Sequence, residues 1–128
     1  MYSTTTNGIE IKVEVFYQKD NSNPFNNDFA FAYRITVINQ NAYAVQLLRR
    51  TWHIFDSNGE YRMVEGEGVI GVTPVIFNHK PFTYVSGCNL NSEMGKMHGF
   101  YTMLNMQNNK EFEVVIPAFD LIAPSKLN

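Results

Sequence analysis

Residues 9–17 read Ile-Glu-Ile-Lys-Val-Glu-Val-Phe-Tyr, with an apolar or aromatic side chain at every odd position and a charge at 10, 12 and 14. No other stretch constrains the fold as strongly. A period of two belongs to a β-strand, where successive side chains point to opposite faces. On a helix the same residues would spread apolar groups around every side. Ile9, Ile11, Val13, Val15 and Tyr17 therefore form one wall of a core, and Glu10, Lys12 and Glu14 face water. The pattern returns at Phe29, Phe31, Tyr33, Ile35 and Val37, after the turn-forming stretch 19–28, KDNSNPFNND. It returns again in EFEVVIP (111–117), where Phe112, Val114 and Ile116 alternate with Glu111 and Glu113 and Pro117 is expected to stop the ladder.

The middle of the chain is less regular. In YAVQLLRRTWHIFD (43–56), Val45, Leu48, Trp52 and Phe55 also fit helical spacing, but the turn signal DSNGE that follows favours a strand entering a hairpin. Beyond it, Gly66, Gly68, Gly71, Pro74, Pro81, Gly87, Gly95 and Gly99 leave no room for a helix of about 12 residues. PFTYVSGC and MHGFYTMLNM read as strands, with Gly99 marking a bulge. Seven to nine short strands describe an all-β fold, a sandwich of two antiparallel sheets. The 128 residues are read as one domain, 1–128, without repeat or linker, and 45% hydrophobic against 17% charged residues supplies its core.

Composition narrows the function as well. A formal charge of -2 gives no basic footprint, so no nucleic-acid partner is expected. The start MYSTTTNGIEIKVEV is not a secretory signal and no run approaches 18 apolar residues, so the expectation is a cytoplasmic protein without a membrane partner. Cys88 is the only cysteine, which fits a reducing compartment. The oligomeric state is left open, a homodimer included.

VEGEGVIGVTPVI (64–76) places Gly66, Gly68 and Gly71 in the order G-x-G-x-x-G. A dinucleotide fingerprint needs a helix whose free N–H groups meet the pyrophosphate. Here Pro74 forces Thr73 towards extended geometry, no acid stands about 20 residues on, and Glu65 and Glu67 repel phosphate. The glycines are expected to shape turns or a bulge, with Gly66 and Gly68 free to take positive φ. The sharper alternative is an anion-binding nest in this loop, with Arg49, Arg50 and Arg62 as countercharge for a phosphate-containing small molecule.

Catalytic and metal chemistry find little footing. His53, His79 and His98 have no ligand spacing, and Cys88 has no partner cysteine. Ser86-Gly87-Cys88 lacks a nucleophile elbow, so no catalytic residue, metal site or cofactor is assigned and the protein is read as not an enzyme. Cys88 should pack as a small apolar residue. The aromatics, among them Phe25, Trp52, Phe55, Phe77 and Phe100, exceed what one thin core requires, and those left outside would mark a protein contact surface.

From residue 45 onward the order of VQLLRRTWHIFDSNGE, VEGEGVIGVTPVI, FTYVSGCNL, MGKMHGFYTM and FEVVIPAFDL resembles the ApaG family, and the amino-terminal strands agree. That resemblance implies an immunoglobulin- or fibronectin type III-like sandwich. It also implies an association with cobalt resistance and magnesium homeostasis, and a pyrophosphate or nucleotide site at Gly66, Gly68 and Gly71. Related domains appended to F-box and polymerase-interacting proteins imply protein binding. The leading expectation is a non-enzymatic module with a protein partner. A phosphate or nucleotide site at the glycine loop comes second, and a divalent-cation-binding regulator third.

Overall fold

The computed structural model describes residues 1–124. Nine strands run in chain order: β1 (Tyr2–Thr6), β2 (Ile9–Tyr17), β3 (Phe29–Asn39), β4 (Val45–Asp56), β5 (Tyr61–Glu67), β6 (Val75–Ile76), β7 (Phe82–Leu90), β8 (Met94–Asn105) and β9 (Lys110–Ile122). The 19–28 loop holds two short 3-10 turns, Lys19–Asn21 and Pro24–Asn26. One sheet has the order β1-β2-β3-β7 and the other β5-β4-β8-β9, with β6 also on β4. All named strand pairs are antiparallel.

The alternation read from the sequence becomes the core directly. Ile9, Ile11 and Val13 of β2 and Phe31, Tyr33, Ile35 and Val37 of β3 are buried. They meet Trp52, Tyr101, Ile116 and Phe119 from the second sheet. Tyr33, Trp52 and Phe119 form an aromatic triangle across the layers, with ring centroids 5.5–5.8 Å apart and tilted or edge-on. Each such contact adds roughly 0.5–1.5 kcal/mol beyond the area it buries. Tyr84 and Tyr101 satisfy each other's hydroxyls at 2.5 Å in the interior. Burial pushes both phenols above their ordinary range.

Bulges explain where the pattern blurred. On β4 the register with β8 shifts between Leu47 and Arg49. Before that bulge Val45 and Leu47 face inward; after it the inward set is even-numbered, with Trp52 and Ile54 buried. This change of parity imitates helical spacing. A second bulge, between Met97 and Gly99 of β8, opposes Pro117 and Ala118. The expectation that Pro117 ends its strand is corrected here: β9 continues to Ile122. Proline is tolerated at a bulge, and the irregularity only switches the buried set from Val114 and Ile116 to Phe119 and Leu121.

The two long sides of the sandwich differ. On one, β1 covers β9: Val115 N donates to Thr6 Oγ1 and Asp120 N to the Tyr2 hydroxyl, each at 3.3 Å. On the other, β5 and β7 are the outermost strands of their sheets and do not pair with each other.

Candidate functional site

The G-x-G-x-x-G segment lies on this second side. β5 and β6 form one edge strand along β4, interrupted by residues 68–74. Gly68 N donates to Leu48 O (2.7 Å) as the chain leaves β4, and Leu47 N donates to Pro74 O (3.0 Å) where it returns. The intervening residues make a tight hairpin. Val69 and Val72 exchange two 2.9 Å backbone hydrogen bonds around Ile70 and Gly71. Both central residues have positive φ, 43° and 80°, as a type I′ turn requires.

Each glycine answers a separate need. Gly66 is not in the left-handed region; a Cβ there would come within 2.7–2.8 Å of the Arg50 guanidinium. Gly68 has φ +62°, and a Cβ would overlap the Val72 carbonyl. Gly71 takes the second turn position with open space around it. The first position falls to Ile70, a β-branched residue in a conformation that branched side chains strongly disfavour. Its side chain is 59% exposed. Val72, Val75 and Phe77 are exposed beside it in sequence.

The six residues named from the sequence are not gathered around one point. Arg49 lies on the outer face and pairs with Glu111. The bulge at Leu48 turns Arg50 the other way, into register with buried Tyr101. There its Nη1 donates to Glu67 O (3.1 Å) and Gly68 O (2.9 Å). Arg62 reaches from β5 across to β7, its Nη2 donating to Asn89 O (2.7 Å) and Cys88 Sγ (3.3 Å). Burial pushes the Cys88 thiol above its ordinary pKa, and Arg62 opposes that shift. Within the loop, the Gly68, Val69 and Val72 amides are already bonded to carbonyls.

Arg50 and Arg62 instead line a cleft of about 290 Å³ between the sheets, with Tyr33, Trp52, Ser86 and Cys88. Among the described residues the ion pairs are Arg34–Glu14, Arg49–Glu111 and Lys96–Asp120, so no carboxylate pairs with either guanidinium. Glu65 and Glu67 project from the opposite face of β5, in register with Thr51 and Arg49.

Two histidines without sequence spacing do meet. His53 of β4 and His98 of β8 are register partners on the outer face and stack at 4.9 Å. Phe55 packs on Tyr61 at 4.8 Å and on His98 at 5.6 Å, and His53 Nδ1 shares a 2.6 Å hydrogen bond with the Tyr61 hydroxyl. Desolvation, then His53 and Lys96, lowers the His98 pKa. Only a correct β4–β8 register, bulge included, could have paired them from sequence. Among the described residues no group of three or more His, Cys, Asp or Glu could hold a metal ion, and no helix is long and apolar enough to cross a membrane.

These features define a class: antiparallel β-sandwiches whose edge strand carries a glycine-bearing hairpin. The ApaG domain family matches residues 19–105, and the chain belongs to it. It is similar to Protein ApaG of Brucella canis, 41% identical over 126 residues, covering 98% of this chain and 96% of that one. Protein ApaG of Mesorhizobium japonicum is 42% identical over 124 residues, with 97% and 95% covered. The crystal structure of the ApaA protein from Bordetella pertussis superposes with a TM-score of 0.87 at 32% identity, covering 91% and 94% of the two chains.

Proposed function

We propose that this chain is a non-enzymatic protein-binding module that offers the 68–74 hairpin to a partner. The observation that carries the reading is Ile70. A left-handed position at a hairpin tip suits asparagine or glycine, and a branched residue there costs roughly 1–2 kcal/mol. A solvent-exposed side chain returns little of that cost within the monomer. Strain of this kind collects at contact sites, where the displayed side chain is what matters. The exposed rings of Phe55 and Tyr61 add apolar surface elsewhere on β4 and β5.

The phosphate-site reading draws less support, because the hairpin turns carbonyls towards Arg50 and three of its amides are committed. The cation reading also draws less support, because the described residues gather no group of three or more His, Cys, Asp or Glu. Any link to cobalt or magnesium handling is then indirect, through the bound protein.

A photo-crosslinking residue at position 70 tests the reading in native extract, with position 10 on the outer face of β2 as control. A discrete adduct is expected from position 70 and not from position 10. Equal labelling at both positions would end the hairpin assignment.

A further inference from the structure

The open side of the sandwich shows what kind of segment it would accept. Ala30 N donates to Ser22 Oγ (2.9 Å) and Ala30 O accepts from Gln18 N (2.8 Å), so both polar groups of Ala30 point away from β7. Its register partner on β7 is Asn89. In an antiparallel ladder the N–H and C=O of one residue point to the same side, and the side alternates along the strand. Asn89 therefore points outward, as its bond from Arg62 also shows. By the same alternation Thr83, Val85 and Gly87 present their backbone groups outward, towards no strand.

Free edges are usually guarded by charge, proline, bulges or shortness. β7 has nine residues, Phe82–Leu90, with no charge, no proline and no register shift against β3. The other edges are managed. β5 carries Glu65, Glu67 and Arg62, β9 carries Pro117 and several charges, and β1 is five residues long and lies on β9. At the unguarded edge stand Arg50 and Arg62. The acids around this edge are already engaged: Asp28 by Asn89 Nδ2, Asp56 by Asn91 N and Ser92 Oγ, and Glu60 by Asn58 and Asn91.

We infer that the β7 edge takes an extended acidic segment of a protein partner, added as a further strand, with its carboxylates between Arg50 and Arg62. Outward N–H and C=O groups supply the backbone ladder, as in other strand-addition complexes. Every second side chain of the added strand points into the cleft, where guanidinium forks match carboxylates. Arg62 already donates to Asn89 O, the place an incoming N–H would take, so it would release that carbonyl and turn to the acid. A second copy of the chain is the rival occupant, but its β7 brings no carboxylate to the cleft. The inference rests on the protein-binding reading but uses a surface separate from Ile70, so the two fail separately.

The test uses the full chain and a capped eight-residue peptide of valine and threonine with glutamates at its third and fifth positions, which share one face of a strand, beside the same peptide with lysines there. Amide spectra of the chain should shift at Thr83, Val85 and Gly87 on adding the acidic peptide, and hydrogen exchange there should slow. The lysine peptide, and the variant Arg62→Glu with the acidic peptide, should each bind about tenfold more weakly or worse. Val85→Pro, which removes an outward N–H and leaves the β3 ladder intact, should also abolish binding, while Ile70→Asn should not alter it. Unmoved β7 amides at millimolar peptide, or equal binding of both peptides, would overturn the inference. So would protection of those amides by concentration-dependent self-association, which would assign the edge to a second copy.

Discussion

Replacing Ile70 by asparagine should make the protein more stable while removing its proposed contact point. Ile70 has φ 43° at the first central position of the Val69–Val72 hairpin. The left-handed conformation costs a branched residue roughly 1–2 kcal/mol, and asparagine suits the position. Against this stands the loss of apolar contact from a side chain that is 59% exposed. That loss is a few tenths of a kcal/mol up to about 1 at full burial value for the hidden part. The net gain is then about 0.5–1 kcal/mol, or roughly 2–5 °C in Tm for a chain of this length. Thermal unfolding by circular dichroism measures it, with Ile70→Val as the control that keeps a branched side chain and leaves Tm unchanged. A Tm lowered by Ile70→Asn would refute the reasoning, because it would mean that Ile70 earns its place by packing within the monomer. A stabilised variant that still crosslinks to its partner through neighbouring positions would separate the strain from the function.

Gly68→Ala should destabilise by about 2–3 kcal/mol in urea unfolding, through its left-handed φ and overlap with the Val72 carbonyl, whereas Gly71→Ala should cost about 1 kcal/mol or less beside open space. Tyr101→Phe leaves the buried Tyr84 hydroxyl without its partner and should cost about 1–3 kcal/mol; the double variant with Tyr84→Phe should recover part of it. In a proton NMR titration His98 should titrate below the ordinary histidine range, and His53→Gln should move it upward. Because the folded pKa is depressed, the stability from His98 is present above the unfolded value of about 6.5 and is lost as pH falls from there through the folded one.

The sequence was most transparent where one strand keeps one parity. β2 and β3 are uniform alternations, and their inward residues could be named without coordinates. β4 carries just as much apolar material, but the extra residue at Leu48 moves its buried set from odd to even, which is why Arg49 and Arg50 looked equivalent as countercharges. They are on opposite faces. Pro117 misled for the same reason, since a proline inside a bulge costs no ladder bond. β5 was hidden because its side chains are exposed along nearly the whole strand, so no hydrophobic period marks it. The His53–His98 stack and the Arg62–Asn89 link depend on register between distant segments, which local pattern does not encode.

The bulge on β4 has a consequence for how this chain can vary. Leu48 is one residue more than the alternation of the strand needs. Deleting it would leave a single unbroken frame, with Val45, Leu47, Arg50, Trp52 and Ile54 all still facing the core and the pairing with β8 continuous. What the extra residue serves is the edge, since Leu48 O accepts from Gly68 N where the hairpin departs from β4, so a homologue one residue shorter would keep this core and carry a rebuilt hairpin.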